Sequence, residues 1–259
     1  MSWLAALRRW RRARAASRMR VPEAMWRAVE AGLPFLDYLP AADRPRLRLL
    51  ALEFLAAKEM TGARGVELTG EARLGIALQA CLPILNLGLA SYEGWVGIVV
   101  YPGDFRIPRR LTDEQGIVHE YDEAALGEAW EGGPVLVSWG QGAGGVNVVI
   151  HEFAHKLDMA NGATDGMPPL HAGMSREAWA KAFRDAYAEF CRFVDEGGDP
   201  WLDPYAAESP SEFFAVASEA FFETPGLLRE DMPAVYEQMR LFYRQDPAAG
   251  EERVRALRA

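Results

Sequence analysis

Residues 151–155 read His151-Glu152-Phe153-Ala154-His155, and the rest of the chain is best interpreted around them. They have the form H-E-x-x-H, the spacing found on zinc-hydrolase helices. The chain has only four histidines, so chance would produce this pattern about 0.005 times in a chain of this length. Side chains four residues apart share one face of a helix, so His151 and His155 can reach the same ion.

The residues just before the motif predict that its helix is buried. The run Val146-Asn147-Val148-Val149-Ile150 is almost entirely apolar, and so much apolar surface is typical of a helix inside a core. The alternative is a surface helix with two solvated imidazoles. Inside a core, two imidazoles and a carboxylate are costly without a partner such as a metal ion. Glu152 lies about 100° around the helix from His151, where it can act as a general base.

A third metal ligand is expected from a distant part of the chain. The metzincin pattern would place Gly and His where this chain has Asp158 and Asn161. A carboxylate on a second helix would complete a site of two histidines and one glutamate. Asp158 lies on the same helix face as His151 and His155, and is better placed to hold an imidazole N–H than to bind the ion. A solvent-facing carboxylate at the helix end is an equally good interpretation of Asp158.

The best source of the third ligand is the segment 203–222, which predicts a turn followed by an apolar helix. The helix carries two carboxylates, Glu212 and Glu219, and their separation of seven places both on one face. Ser209 and Glu212 also form a capping box with Pro210 at the first helical position. Spacing alone therefore does not choose between Glu212 and Glu219.

Five separated stretches of the chain together form a recognisable pattern: 81–89 (CLPILNLGL), 151–158 (HEFAHKLD), 161–162 (NG), 203–219 (DPYAAESPSEFFAVASE) and 242–247 (FYRQDP). In this order they make the chain similar to the Mlc titration factor A family of zinc peptidases. The resemblance runs from about residue 30 to residue 248.

The resemblance implies a role for each residue of the site. Glu212 becomes the third ligand of Zn²⁺, Glu152 the general base, and Tyr205 a phenol that stabilises the oxyanion formed at the substrate carbonyl. A tyrosine packed in a turn remains the alternative for Tyr205. Glu219 then becomes a carboxylate that supports the site or the fold.

Composition predicts a basic arm (1–20) and a single zinc metallopeptidase domain (21–259). The chain has 259 residues, half of them apolar, which is enough for one large core. We expect no transmembrane segment, since the longest apolar stretch, 74–90, contains Pro83 and is read as a buried kinked helix. The first residues contain no long apolar run of the kind that a secretory signal has, so we expect no such signal. Cys81 and Cys191 lie in apolar helical patterns and are interpreted as packed thiols, which favours a cytoplasmic address.

Charge is divided unevenly along the chain. The net charge is −9, and residues 1–20 hold seven arginines and no acid, so the remaining residues carry −16. An acidic body argues against direct nucleic-acid binding. The arm mixes arginines with Trp3, Leu4, Leu7 and Trp10, and could lie on an anionic membrane or dock on a partner. We favour the simpler interpretation of a frayed terminus or one docked on its own body.

The order of predicted elements indicates an α+β fold. Helical patterns on both sides flank short β-rich runs at 95–101, 117–121 and 135–139. The family resemblance implies that this is a zincin-like metallopeptidase domain, with a small sheet, a metal-binding helix and flanking helices. The strand 135–139 lies shortly before the metal helix. We expect it to border the cleft and to offer its edge to an extended peptide.

A glycine-rich segment at 140–145 matches G-x-G-x-x-G, the pattern of a dinucleotide-binding turn. A dinucleotide fold would need a parallel strand ending in an acid about 20 residues later, and the chain has the H-E-x-x-H helix and a loop instead. We therefore expect no dinucleotide cofactor and interpret the segment as a mobile loop beside the cleft. His119 and His171 are expected to be packing or surface residues.

Two functions follow from these features. The first is a zinc-dependent peptidase, which the family resemblance implies to be aminopeptidase-like on short peptides. The alternative, taken from the family name, is a protein that mainly sequesters the glucose-responsive repressor Mlc and retains only vestigial catalysis. A purely structural metal site is disfavoured by Glu152, because such a site gains nothing from an unliganded carboxylate beside the ion.

Overall fold

The computed structural model describes residues 3–103, 105–112, 118–125, 127–130, 132–139 and 147–258. These residues form an α+β protein with ten α-helices and six β-strands. The helices are α1 (Trp3–Ala16), α2 (Glu23–Ala31), α3 (Asp43–Ala57), α4 (Gly70–Cys81), α5 (Val148–Asp158), α6 (Arg176–Asp195), α7 (Pro210–Glu223), α8 (Pro225–Asp231), α9 (Pro233–Tyr243) and α10 (Pro247–Arg258). The strands are β1 (Glu59–Gly62), β2 (Gly97–Tyr101), β3 (Phe105–Thr112), β4 (Val118–Ala125), β5 (Gly127–Ala129) and β6 (Val135–Ser138).

Four of the strands form one sheet in the order β1-β2-β6-β5. The strands β1, β2 and β6 run parallel, whereas β5 is antiparallel to β6. The strands β3 and β4 form a separate antiparallel hairpin. The predicted runs at 95–101, 117–121 and 135–139 correspond to β2, β4 and β6, with boundaries shifted by a few residues.

The prediction that the strand 135–139 offers a free edge is wrong. The strand β6 lies between β2 and β5, so both of its edges are hydrogen-bonded. Among the strands that the structure describes, β5 is the outermost on this side of the sheet. With only three residues, the first of them Gly127, β5 is too short to show the alternation of apolar and polar residues that predicts a strand.

The kinked helix expected over residues 74–90 is also wrong, because α4 ends at Cys81. Pro83 has no amide hydrogen to continue the helical hydrogen bonds. The chain continues through turns to a short 3₁₀ helix at Leu89–Tyr92. In the described parts of the chain, no helix combines the length and the apolar character needed to cross a membrane.

Both cysteines are free thiols, as their apolar surroundings predict. Cys81 is completely buried at the end of α4, and burial raises the pKa of its thiol well above the usual value. Cys191 lies half-buried on α6, with its Sγ 3.8 Å from the carbonyl oxygen of Ala207.

The helix α5 runs through the centre of the molecule, and every one of its residues is buried. It packs against the sheet on one side and against α7 on another. Phe153 holds it in place, since its ring centroid lies 5.6 Å from that of Phe54, 5.2 Å from that of Tyr92 and 5.7 Å from that of Trp95. This aromatic cluster fixes the position of the H-E-x-x-H helix.

We expect Phe153→Ala to lower the free energy of unfolding by about 3–5 kcal/mol, because the cavity opens among three other rings. Urea denaturation measures the change. The matched control is Phe193→Ala on α6, where the ring is half-exposed, and a loss of less than about 1 kcal/mol is expected. Equal losses in the two variants would mean that the cluster does not anchor α5.

Candidate metal centre

Three donor atoms from two helices meet at one point in the structure. His151 Nε2 and His155 Nε2, both on α5, lie 3.1 Å apart. Glu212 Oε2, in the first turn of α7, lies 3.0 Å from the first nitrogen and 3.2 Å from the second. The contact between α5 and α7 therefore brings together a group of two imidazoles and one carboxylate that could hold a metal ion.

The outer nitrogen of each imidazole is held by a hydrogen bond. His151 Nδ1 lies 2.7 Å from Glu219 Oε1, and a carboxylate can only accept, so this nitrogen carries the proton. His155 Nδ1 lies 3.1 Å from Ser211 Oγ, which donates its own hydrogen to Asp158 Oδ2 at 3.0 Å. Ser211 therefore accepts from His155. In both rings, Nε2 is left with a lone pair that points into the site.

Glu219 connects the two helices with both of its oxygens. While Oε1 accepts from His151, Oε2 accepts from the backbone N–H of Asn147 at 2.6 Å. Asn147 is the N-cap of α5, where its side-chain oxygen accepts from the Ile150 N–H at 3.0 Å. Its side-chain amide donates to Glu223 Oε1 at 2.7 Å. The start of α5 is thereby fastened to α7 directly behind the imidazole of His151.

The sequence suggested that Asp158 holds an imidazole N–H directly. In the structure Asp158 reaches His155 only through the hydroxyl of Ser211. It is completely buried, and its Oδ2 also accepts from the Gly166 N–H at 2.9 Å. The other oxygen, Oδ1, has no hydrogen-bond partner among the described residues. Burial raises the pKa of Asp158, although the hydrogen bonds from Gly166 and Ser211 oppose the shift. The alternative of a solvent-facing carboxylate is therefore wrong.

Glu152 lies beside the three donors, with its carboxylate buried. Burial raises its pKa to about 7, although the imidazoles of His151 and His155 act to lower it. Its Oε2 is buried without a hydrogen-bond partner in the part of the chain that the structure describes. The backbone of β5 closes one side, where a Cβ added at Gly127 would lie 2.2 Å from Glu152 Oε1.

The electrostatics of the centre favour a positive charge among the donors. Burial raises the pKa of Glu212, but hydrogen bonds to the two imidazoles outweigh burial and lower this pKa to about 2. Burial lowers the pKa of His151, but Glu212 and Glu219 reverse that effect and raise it well above its usual value. The carboxylates thus favour a cation at this point, whether it is a proton or a metal ion.

The donor set fits a divalent metal ion. Two imidazole lone pairs and a carboxylate oxygen face one another at 3.0–3.2 Å, an arrangement that is repulsive without a cation between them. Three ligands placed tetrahedrally at about 2.05 Å from an ion would lie about 3.3 Å apart, close to this spacing. The imidazoles are also held from behind by carboxylate and hydroxyl groups, as is usual for metal-binding histidines.

Tyr205 lies near the centre, in a 3₁₀ helix formed by Pro204–Ala207. Its ring centroid is 6.2 Å from that of His151, and the residue is 49% exposed. The side chain of Asp203 accepts from the Tyr205 N–H at 2.9 Å and fixes this turn ahead of α7. The ring of Tyr205 is therefore partly exposed to solvent and lies near the imidazole of His151.

The sequence did not reveal three contributors to this centre. Asn147 could have been found, since an Asn before an apolar helical run is a common N-cap. Ser211 and Gly127 carry no comparable signal, because their roles depend on contacts with distant segments.

The remaining candidates from the sequence do not belong to the described centre. His171 stacks on Phe242, at 5.6 Å between ring centroids, and its Nε2 lies 2.7 Å from the Phe242 carbonyl oxygen. The glycine-rich segment 140–145 and the side chain of His119 lie outside the described parts of the structure.

Comparison with known families identifies the class of protein that this fold and centre define. The family described as glucose-regulated metallo-peptidase M90 matches residues 7–244. The match covers most of the chain, so the chain belongs to this family of metallopeptidases. Membership implies a metal ion, and the group of His151, His155 and Glu212 offers a place for it.

The individual relatives carry the name Mlc titration factor A. The protein of that name from Salmonella arizonae is 36% identical over 223 residues, which is 83% of this chain and 89% of the relative. The Serratia proteamaculans protein is 35% identical over 241 residues, covering 90% and 91%. The Klebsiella pneumoniae protein is 34% identical over 224 residues, covering 84% of each. The resemblance to the Mlc titration factor A family is confirmed.

Glu219→Gln should weaken binding of a divalent metal by about 10–100-fold, because the amide has one acceptor for the two N–H groups that Glu219 now holds. Competition with a chelator of known affinity measures the change. The matched control is Glu223→Gln, another acid on α7 that contacts Asn147, and it should change affinity by less than about threefold.

Glu212→Gln should lose the metal altogether in the same measurement, because it removes the charge that faces the two imidazoles. If Glu219→Gln abolished binding while Glu212→Gln kept it, the assignment of the two glutamates would have to be reversed.

Proposed function

We propose that this protein is a zinc-dependent peptidase. In this proposal His151, His155 and Glu212 hold Zn²⁺, and Glu152 is the general base. The observation that carries the proposal is the meeting of three inward-facing lone-pair donors beside the buried carboxylate of Glu152, one oxygen of which has no partner among the described residues. Two histidines and one glutamate form the ligand set of many hydrolytic zinc sites.

Glu152 is suited to move a proton at neutral pH. When bound, the zinc ion supplies a Lewis acid that polarises the peptide carbonyl and makes water more acidic. Glu152 accepts the proton of the attacking water on a carboxylate oxygen, and burial favours this step because it raises the pKa of the carboxyl group. Glu152 then delivers this proton to the leaving amine. A group with a pKa near the working pH can do both.

The neighbouring side chains orient the reacting groups. Tyr205 is partly exposed beside His151, and its phenol donates a hydrogen bond to the oxyanion that forms on the substrate carbonyl. Glu219 fixes the ring of His151. The pair of Ser211 and Asp158 does the same for His155. Each support keeps one tautomer, with its lone pair directed inward.

The strand β5 is the best surface for a peptide substrate. It is the outermost described strand on its side of the sheet, and its residue Gly127 lies against Glu152. An extended peptide that paired with β5 would pass directly in front of the base. We therefore expect an extended peptide to pair with β5, and not with the strand 135–139 as the sequence predicted.

The remaining expectations belong to the same proposal. Residues 21–259 form one zincin-like metallopeptidase domain, to which residues 1–20 are attached as a basic arm, and the protein acts in the cytoplasm. The family resemblance supports aminopeptidase-like cleavage of short peptides. No dinucleotide cofactor and no direct contact with nucleic acid are part of this proposal.

A second function is suggested by the names of the relatives. Proteins called Mlc titration factor A are named for titrating Mlc, so this chain could bind a repressor of the Mlc type. The main alternative to the peptidase is a protein whose chief role is this binding, with vestigial catalysis. Binding and catalysis are compatible, because a bound partner could regulate the peptidase.

Glu152→Gln should reduce kcat for aminoacyl p-nitroanilides and short peptides by at least about 10²–10⁴-fold, because the amide cannot accept the proton. Metal content should remain that of the wild type. Undiminished turnover would eliminate Glu152 as the base.

The same variant tests the second function. Retention of a purified Mlc-type repressor by this inactive variant would show that binding is separate from catalysis. If the wild type held the repressor but cleaved none of these substrates, the binding protein would be the better description.

Gly127→Ala should lower kcat by about 10-fold or more without loss of metal, because the new methyl group displaces the Glu152 carboxylate from its position. The backbone of Gly127 is not left-handed, so the effect is not due to strain. Gly97→Ala on β2 is the matched control, since its Cβ would meet Pro134 at an ordinary 3.4 Å. Similar rates for both variants would remove β5 from the site.

A further inference from the structure

The arginine-rich arm contains the helix α1 (Trp3–Ala16), and one face of this helix is turned towards the body. Ala16 is completely buried, and Arg12 NH2 lies 3.5 Å from Glu93 Oε1. The helix packs against α3. The helix α1 is therefore docked on the body along this face, in agreement with one of the two simpler interpretations of the arm, a frayed or a docked terminus.

The opposite face of α1 is apolar and exposed. Trp3, Leu7 and Trp10 follow one another at helical spacing, and they are 73%, 42% and 56% exposed. On a helix these three lie within about 60° of each other and roughly opposite Ala16. The guanidinium of Arg14 lies over the ring of Trp10, 5.3 Å from its centroid. A helix that only served the core would turn its indoles inward, so this aromatic stripe is built for something outside the chain.

Charge complementarity indicates what covers the stripe. Residues 1–20 carry seven arginines and no acid, while the other residues carry −16. A polyanionic surface therefore attracts the arm and repels the body, which orients the molecule with α1 at the surface. Indoles and leucine flanked by arginines are typical of helices that lie in the interface of an anionic lipid bilayer. A nucleic acid would contact rows of cations rather than an exposed indole–leucine stripe.

We propose that α1 attaches this protein to the surface of an anionic lipid membrane, with Trp3, Leu7 and Trp10 inserted among the headgroups and the arginines contacting lipid phosphates. The helix has 14 residues, and it lies in the plane of the interface. This attachment concerns α1 alone and is independent of the proposed peptidase activity.

Co-sedimentation of the full chain with lipid vesicles tests the proposal. At about 0.1 M salt the wild type should sediment with vesicles of equal phosphatidylglycerol and phosphatidylcholine, and not with phosphatidylcholine alone. Raising the salt to about 0.5 M should weaken the partition several-fold. Trp3→Ser/Trp10→Ser should reduce the partition at least about tenfold. Arg11→Glu/Arg14→Glu should do the same.

Matched controls separate the stripe from general effects. Leu257→Ser changes an exposed apolar residue on α10, and Arg176→Glu/Arg184→Glu makes the same charge change on α6; both should sediment like the wild type. Thermal unfolding and metal content should be unchanged in every variant. The proposal is overturned if the wild type ignores anionic vesicles or if the stripe variants bind them as well as it does. It is also overturned if the stripe mediates only self-association in light scattering or only binding to duplex DNA.

Discussion

The centre of this protein depends on an electrostatic constraint at the contact between α5 and α7. Four carboxylates, those of Glu152, Asp158, Glu212 and Glu219, surround two imidazoles in a largely buried volume. Buried carboxylates repel one another and are costly without compensating charge. The pKa values respond accordingly, as burial raises that of Glu152 to about 7 and the neighbouring acids raise that of His151. A cation bound among the donors would relieve this cost, so metal binding and the stability of the fold are coupled.

The apolar surroundings of α5 make this polar centre possible. On one side the ring of Phe153 is enclosed by the aromatic cluster of Phe54, Tyr92 and Trp95. On the other side Asn147 caps the helix and joins it to α7. The helix therefore has little freedom to rotate, and the two Nε2 atoms keep their common direction. Rigid placement of this kind is what a site needs to hold donor atoms that repel each other.

The candidate metal centre and the helix α1 differ in which groups are exposed to solvent. Around α5 and α7, charged groups lie inside the molecule and are supported by specific hydrogen bonds. On α1, apolar rings lie outside and are accompanied by arginines. Both arrangements reverse the usual distribution of polar and apolar groups, and they are the observations behind the two proposed partners, a metal ion at the centre and an anionic membrane at α1.

The sequence by itself determined the features that depend on neighbouring residues along the chain. The spacing of His151 and His155 is a property of one helix, and the apolar run before it predicts burial. The serine at position 209 predicts the start of α7, where its side chain accepts from the Glu212 N–H. The segregation of charge between the arm and the body is visible in composition alone.

Only the tertiary structure decided the rest, because it depends on how distant segments cross. Glu212 and Glu219 share one face of α7. Their spacing does not show which of them contacts Nε2 of His151 and which contacts Nδ1. The packing of α7 against α5 decides this, through contacts between residues that are 61 and 68 positions apart in the sequence. The link through Ser211 and the position of β5 at the outside of the sheet arise in the same way. Helical periodicity orders side chains around one axis, but it carries no information about which oxygen of a second helix arrives opposite them.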